Sequence, residues 1–190
     1  MPRKPNYNRD DLIERARDLF WRQGWAGTSL KNLEAELNMK PGSFYAAFGS
    51  KDALFALALE KYASDGANRL RQLKERHGPL CALQRFPAMV VNNPESPAKA
   101  CMLSRTLLEL QASEHPLAEL ANQHLLKMEA QFCELFTHAQ ALEEISTKHR
   151  PDVLARRYQS DLLGLRVSAE RNDVDAGAIA AEIAHDLSAL

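Results

Sequence analysis

Apolar residues recur along most of the chain at the spacing of a helix face. Leu12, Ile13, Ala16, Leu19 and Phe20 stand at i, i+1, i+4, i+7 and i+8, with Asn8 or Asp10 placed to cap the helix and Gly24 to stop it. After the turn GWAGTSL, Ser29 caps a shorter helix whose inner face is Leu30, Leu33 and Leu37. Asn38 suits a left-handed turn, and Pro41 suits a first helical turn, where its missing N–H costs nothing. The spacing predicts a brief helix over 41–48 closed by Gly49, then a long one over 51–76 capped by Ser50. Further helices are predicted over 80–92, 97–113 (opened by Ser96-Pro97), 116–142, 151–171 and 174–190. Val90-Val91 is the sole β-branched pair weighed as strand material, so the pattern is all-α with about nine helices.

The short third helix carries more punctuation than packing requires. Phe44 and Phe48 are four apart and share one face, which anchors them inward against Leu19, Leu33 and Leu37. Ser43, Tyr45, Ala46 and Ala47 flank that face and point outward, while Gly42 lets a partner approach the backbone closely. Two short helices joined by a tight turn, the second opening Lys40-Pro41-Gly42-Ser43, form a helix-turn-helix layout. Ser29, Tyr45 and Lys51 would hold the phosphates of a double strand, with small side chains in its major groove.

Charge fits such a head without proving it. Residues 1–51 hold nine Lys/Arg against six Asp/Glu in a chain of net charge −1, so a mildly basic N-terminal part precedes an acidic remainder. Ordinary surface scatter produces the same numbers. Arg3 and Lys4 read as a disordered tail or as an arm for a minor groove. Three widely spaced cysteines and six histidines show neither a disulfide framework nor metal-ligand spacing, and no cofactor is expected. The first residues lack a signal peptide's apolar core and no run approaches membrane-spanning length, which predicts a cytoplasmic protein without a membrane partner.

The stretch GTSLKNLEAELNMKPGSFYAAFGSKDAL, residues 27–54, resembles the TetR family of bacterial transcription regulators. The resemblance implies a DNA-binding head over 1–50 and a helical effector-binding and dimerisation domain over 51–190. Gly42, Ser43, Tyr45, Lys51, Ser29, Lys40 and Pro41 match DNA-contacting positions of that family. Asn38 stands where the family often has glycine, and Lys40 where it often has a small hydroxyl residue. Lys40 is therefore expected to reach phosphate or a guanine edge, and Ala46-Ala47 to offer methyl contacts to thymine. The resemblance also implies a homodimer on a palindromic operator, with repression relieved by an unidentified small molecule and activation as the other possible outcome.

In such a regulator Phe86, Met89, Cys101, Met102, Arg105, Met128 and Phe132 would line an adaptable apolar pocket. Leu162, Leu163, Leu165, Ile179, Ile183 and Leu187 would pair across a two-fold as a four-helix bundle. Cys101 reads as a small buried hydrophobe or, with Arg105 lowering its thiol pKa on a shared face with Leu108, as a site for electrophiles or oxidants. Arg105 and Glu109 are also spaced to pair with each other. An all-α enzyme using Cys101 and a histidine, or a helical adaptor, are the other classes. No catalytic triad order, paired acids or phosphate loop supports an enzyme, and an adaptor would show no salt-dependent duplex binding.

Overall fold

The computed structural model describes residues 8–94 and 96–190, so Arg3 and Lys4 lie outside the described residues. Within the described residues it contains nine α-helices and no strand. They are α1 (Arg9–Gly27), α2 (Leu30–Leu37), α3 (Pro41–Phe48), α4 (Lys51–His77), α5 (Pro79–Val91), α6 (Met102–Leu110), α7 (Pro116–Ala141), α8 (Pro151–Ser168) and α9 (Ala176–Leu187). A single 3₁₀ turn, Gln111–Ser113, follows α6. None of these helices is long and apolar enough to cross a membrane.

Local chemistry accounts for most of the boundaries. The Asn8 side chain accepts from the Asp10 N–H and opens α1. Ser29 and Asn32 form a reciprocal capping box at α2, and Asn38 ends that helix in the left-handed region at φ 53°. Ser50 Oγ accepts from the Ala53 N–H and opens α4.

The last two helices end three residues earlier than expected, and two larger differences have a physical cause. Gly24 does not end α1: at φ 78°, ψ 177° it breaks the helix, which then resumes to Gly27. The helix predicted over 97–113 is shorter, because tertiary partners take the backbone groups it would need. Glu170 accepts from the N–H groups of Lys99 and Ala100 at 2.8 and 2.6 Å. The Ala100 carbonyl accepts from Trp21 Nε1 at 2.7 Å. Ser96 spends its hydroxyl on the Ala98 carbonyl instead of capping, and the helix starts after Cys101.

Packing is organised around two cores. The first joins Leu19, Phe20, Leu33, Leu37, Phe44 and Phe48 to Leu54, Phe55 and Leu59 of α4, and continues to Met102, Leu103, Leu110 and Leu117. The second gathers Leu83, Phe86, Phe132, Phe136, Tyr158, Leu162, Leu165 and Leu187. Helix α4 threads both, with Phe55 and Tyr62 in the first and Leu70 in the second. The boundary expected near residue 50 therefore coincides with no gap in packing. Polar contacts add to the α1–α4 seam: Asp65 accepts Arg17 at 2.5 Å and Lys61 at 2.9 Å, and Lys61 also reaches Glu14 at 2.8 Å.

Candidate nucleic-acid interface and ligand cavity

The opening turn of α3 faces solvent because its two rings face the core. Phe44 is fully buried and Phe48 nearly so, with ring centroids 5.8 Å apart. Burying each phenylalanine stabilises the head by about 2–3 kcal/mol, which fixes the rotation of a helix only two turns long. Lys40, Pro41, Gly42, Ser43 and Ala46 are exposed as a result, and Tyr45 is 49% exposed with its ring edge-on to Phe44. An added Cβ at Gly42 would meet nothing within 4 Å, so the chain itself leaves that approach open.

Three expected contacts are more constrained than the sequence suggests. Ala47 is half-buried and packs on the first core, so Ala46 is the freer methyl of the two. The Ser29 hydroxyl is exposed but already accepts the Asn32 N–H at 3.1 Å and donates to Asn32 Oδ1 at 2.5 Å. Lys51 is half-buried: its ammonium sits 4.1 Å from the Trp25 ring centroid, and burial pulls its pKa below the usual lysine value against the opposing pull of Asp52 and Glu109. Trp25 is held in turn by its Nε1 donating to Asp52 at 2.8 Å. Lys31, exposed in the first turn of α2, adds a positive charge near this surface that the motif reading passed over.

Arg105 and Glu109 do something other than line a pocket or pair with each other. The Arg105 guanidinium donates to the carbonyls of Trp21, Arg22 and Gln23 at 3.3, 3.2 and 3.0 Å. The Glu109 carboxylate accepts the N–H groups of Trp25 and Ala26 at 3.2 and 2.7 Å. The break at Gly24 leaves carbonyls at one helical end and amides at the next, and α6 supplies a cation to the first and an anion to the second. Arg105 is thereby turned away from Cys101, which removes the reason for expecting an activated thiol. Leu108, expected on the same face, is 81% exposed.

The body contains a small apolar cavity of about 70 Å³. Phe86, Cys101, Met128 and Phe132 lie in its wall as expected from the sequence, together with Tyr62, Leu103, Leu162 and Leu163. Met89 lies instead in an adjoining vestibule of about 390 Å³, and Met102 is 2% exposed within the first core. The cavity wall also contains groups that pattern reading missed, Arg69, Gln159 and Arg166. Tyr62 is buried beside the Cys101 thiol, and burial pushes its phenol well above the usual tyrosine pKa, so it stays a neutral donor.

The six residues expected at a dimer interface do not share an outer face. Leu162, Leu165 and Leu187 are buried in the second core, while Leu163, Ile179 and Ile183 are half-buried. The helical period puts Leu162 and Leu165 on the side of Leu154, Ala155 and Tyr158, which faces inward. The outward side of α8 carries Val153, Arg157, Ser160, Gly164 and Val167, and α9 exposes Ala178 and Ala181.

Comparison with known proteins agrees with this geometry. Residues 12–58 match the model of the bacterial regulatory proteins, tetR family. Over 177 residues the chain is 24% identical to the HTH-type transcriptional repressor DhaR of Mycobacterium sp. (strain GP1), covering 88% of this chain and 86% of that protein. It is 24% identical over 168 residues to the HTH-type transcriptional repressor ComR of Escherichia coli (strain K12), covering 86% of this chain and 80% of the other. Among solved structures, a cysteine mutant of the TetR family transcriptional regulator CifR, complexed with 26-base-pair double-strand operator DNA, superposes with a TM-score of 0.83 at 25% identity and 98% coverage of both chains. With the helix-turn-helix presented outward on α3 and the helical body behind it, residues 12–58 match the tetR family of bacterial regulatory proteins and the chain as a whole is similar in fold to transcription regulators of that family.

Proposed function

We propose that the protein is a homodimeric repressor that holds a palindromic operator through α3 and releases it when a small molecule enters the α4–α8 cavity. The observation that carries the reading is the outward first turn of α3, pinned by Phe44 and Phe48 and unobstructed at Gly42. Lys40, Ser43 and Tyr45 contact phosphate or base edges there, and the amides opening α4 add a phosphate site. The CifR variant complexed with operator DNA and the two relatives named as repressors support the same reading. Acting on chromosomal DNA places the protein in the cytoplasm.

Helix α6 supplies a route from cavity to head. Cys101 and Leu103, at its start, lie in the cavity wall, and Arg105 and Glu109 further along grip α1 at its break. A ligand that shifts α6 must shift the head with it, so binding of ligand and of operator are coupled. Two copies joined through the outward face of α8 and α9 would place two α3 helices in successive major grooves. The thiol-sensor alternative is weaker, since Arg105 is committed to α1.

Genomic footprinting, beginning upstream of the protein's own gene, identifies the operator, and fluorescence anisotropy on that duplex tests the contact surface. Affinity is expected to fall steeply with salt. Tyr45→Ala is expected to weaken binding ~10-fold, a loss of ~1.4 kcal/mol, with thermal melting nearly unchanged. Equal loss of melting temperature and affinity would make Tyr45 a packing residue and remove the basis for this interface.

A further inference from the structure

The cavity wall combines a hydrocarbon lining with two guanidinium groups, an unusual pairing for a site meant only for neutral molecules. Arg69 of α4 and Arg166 of α8 stand in the walls of both the inner cavity and the vestibule, which also share Val90. Both side chains are half-buried. Two acids close to them, Asp65 beside Arg69 in a neighbouring surface pocket and Glu170 four residues after Arg166, are already committed. Asp65 is held by Arg17 and Lys61, and Glu170 accepts the backbone N–H groups of Lys99 and Ala100. Arg166 uses Nη1 on the Lys99 carbonyl at 3.0 Å, and among the described residues neither Arg69 nor Arg166 has an ion-pair partner. Arg166 is also close enough for its charge to act on the Tyr62 hydroxyl at the cavity wall. A partly buried guanidinium without a counterion is costly, and two facing one space create a strong preference for an anion.

We propose that the effector is a small amphipathic carboxylate, its head between Arg69 and Arg166 and its apolar body among Phe86, Leu103, Met128 and Phe132. Planar guanidinium donors match a carboxylate in pairs. The inner cavity is small, so the body is short or the flexible Met128 side chain yields to it. This inference rests on the reading of the cavity as the effector site and adds the charge class of the effector.

Calorimetric titration of the full chain with hexanoate and phenylacetate, and with the uncharged 1-hexanol and 2-phenylethanol, separates the two ideas. The acids are expected to bind at least ~10-fold more tightly than the matching alcohols, and Arg69→Gln to remove most of that ~1.4 kcal/mol preference by weakening acid binding far more than alcohol binding. Arg166→Gln should act in the same direction, but it also breaks the Lys99 contact, so Arg69→Gln is the deciding variant. Alcohols binding as well as acids, or an Arg69→Gln protein that keeps the preference, would overturn the anionic class and leave the cavity as a neutral effector site. Binding of inorganic phosphate as tight as that of the acids would also overturn it, since the apolar body would then contribute nothing. If no acid or alcohol binds while duplex binding persists, the effector site itself is misassigned and the proposal falls with it.

Discussion

Gly42 separates what the fold needs from what a bound duplex needs. It lies in the first turn of α3, and a Cβ there meets no atom of the protein. Gly42→Ala should therefore stabilise the free protein by about 0.5–1 kcal/mol, through lower unfolded-state entropy. The same methyl would stand where backbone and phosphate are to come close, so operator affinity should fall. A melting scan and an anisotropy titration on one sample check both signs. Lys51 behaves differently from what the motif alone suggests. Because its ammonium lies over Trp25, Lys51→Ala is expected to lose roughly 0.5–1 kcal/mol of stability as well as affinity. His124 of α7 is nearly enclosed, with Glu60 3.3 Å away in poor hydrogen-bond alignment, and burial lowers its pKa against the pull of Glu60. A lowered folded-state pKa means that the unfolded chain binds the proton first, so stability declines as pH drops below about 6.5. Melting temperature should fall through that range in the native chain, and His124→Leu should flatten the dependence.

At the scale of elements, the joint between α1 and α6 explains which features the sequence displays and which it conceals. The α2–α3 pair was legible because caps and turns are local: Ser29, Asn38, Pro41 and Gly49 each act on backbone within a few residues. The start of α6 was not, since Glu170 and Trp21 take the groups around Lys99 and Ala100 from far along the chain. Arg105 and Glu109 carry the right spacing for a pair within one helix, and nothing local reveals that both are spent on α1. The solvent exposure of the first turn of α3 could be read residue by residue for the same reason, whereas Arg69, Gln159 and Arg166 meet only once α4 and α8 are packed. Glu109→Gln tests the joint. A carboxamide offers one acceptor oxygen where two N–H groups need partners, so a loss of about 1–2 kcal/mol is expected. Gly24→Ala should cost more than Glu109→Gln, because φ is +78° and a Cβ would sit 2.9 Å from both Arg105 Nη2 and Glu109 Oε2. Chemical denaturation ranks the two, and a Gly24→Ala variant as stable as the native chain would show that the break is not held by α6.

For the whole molecule, the decisive question for the proposed dimer is how its two heads would be set at one spacing. The apolar residues that look like an interface in sequence, Leu162, Leu165 and Leu187, are consumed by the second core, and their truncation would unfold the body before it separated subunits. One stripe of α8 left outside carries Val153, Arg157, Ser160, Gly164 and Val167, small at Ser160 and Gly164, and α9 exposes Ala178 and Ala181. Small residues let two helix pairs approach closely, and Val167, 62% exposed, gains most from being covered. Gly164 has no neighbour within 4 Å of an added Cβ, so a larger side chain there costs the free subunit nothing sterically. Gly164→Glu is therefore expected to yield a folded monomer with native helicity, and to lose most operator affinity because each head must then bind alone. Light scattering coupled to size exclusion reads the mass, and anisotropy reads the affinity. A Gly164→Glu variant that stays dimeric with full affinity would move the two-fold to another face, while one that unfolds would show that α8 needs its glycine for packing that the free subunit does not display.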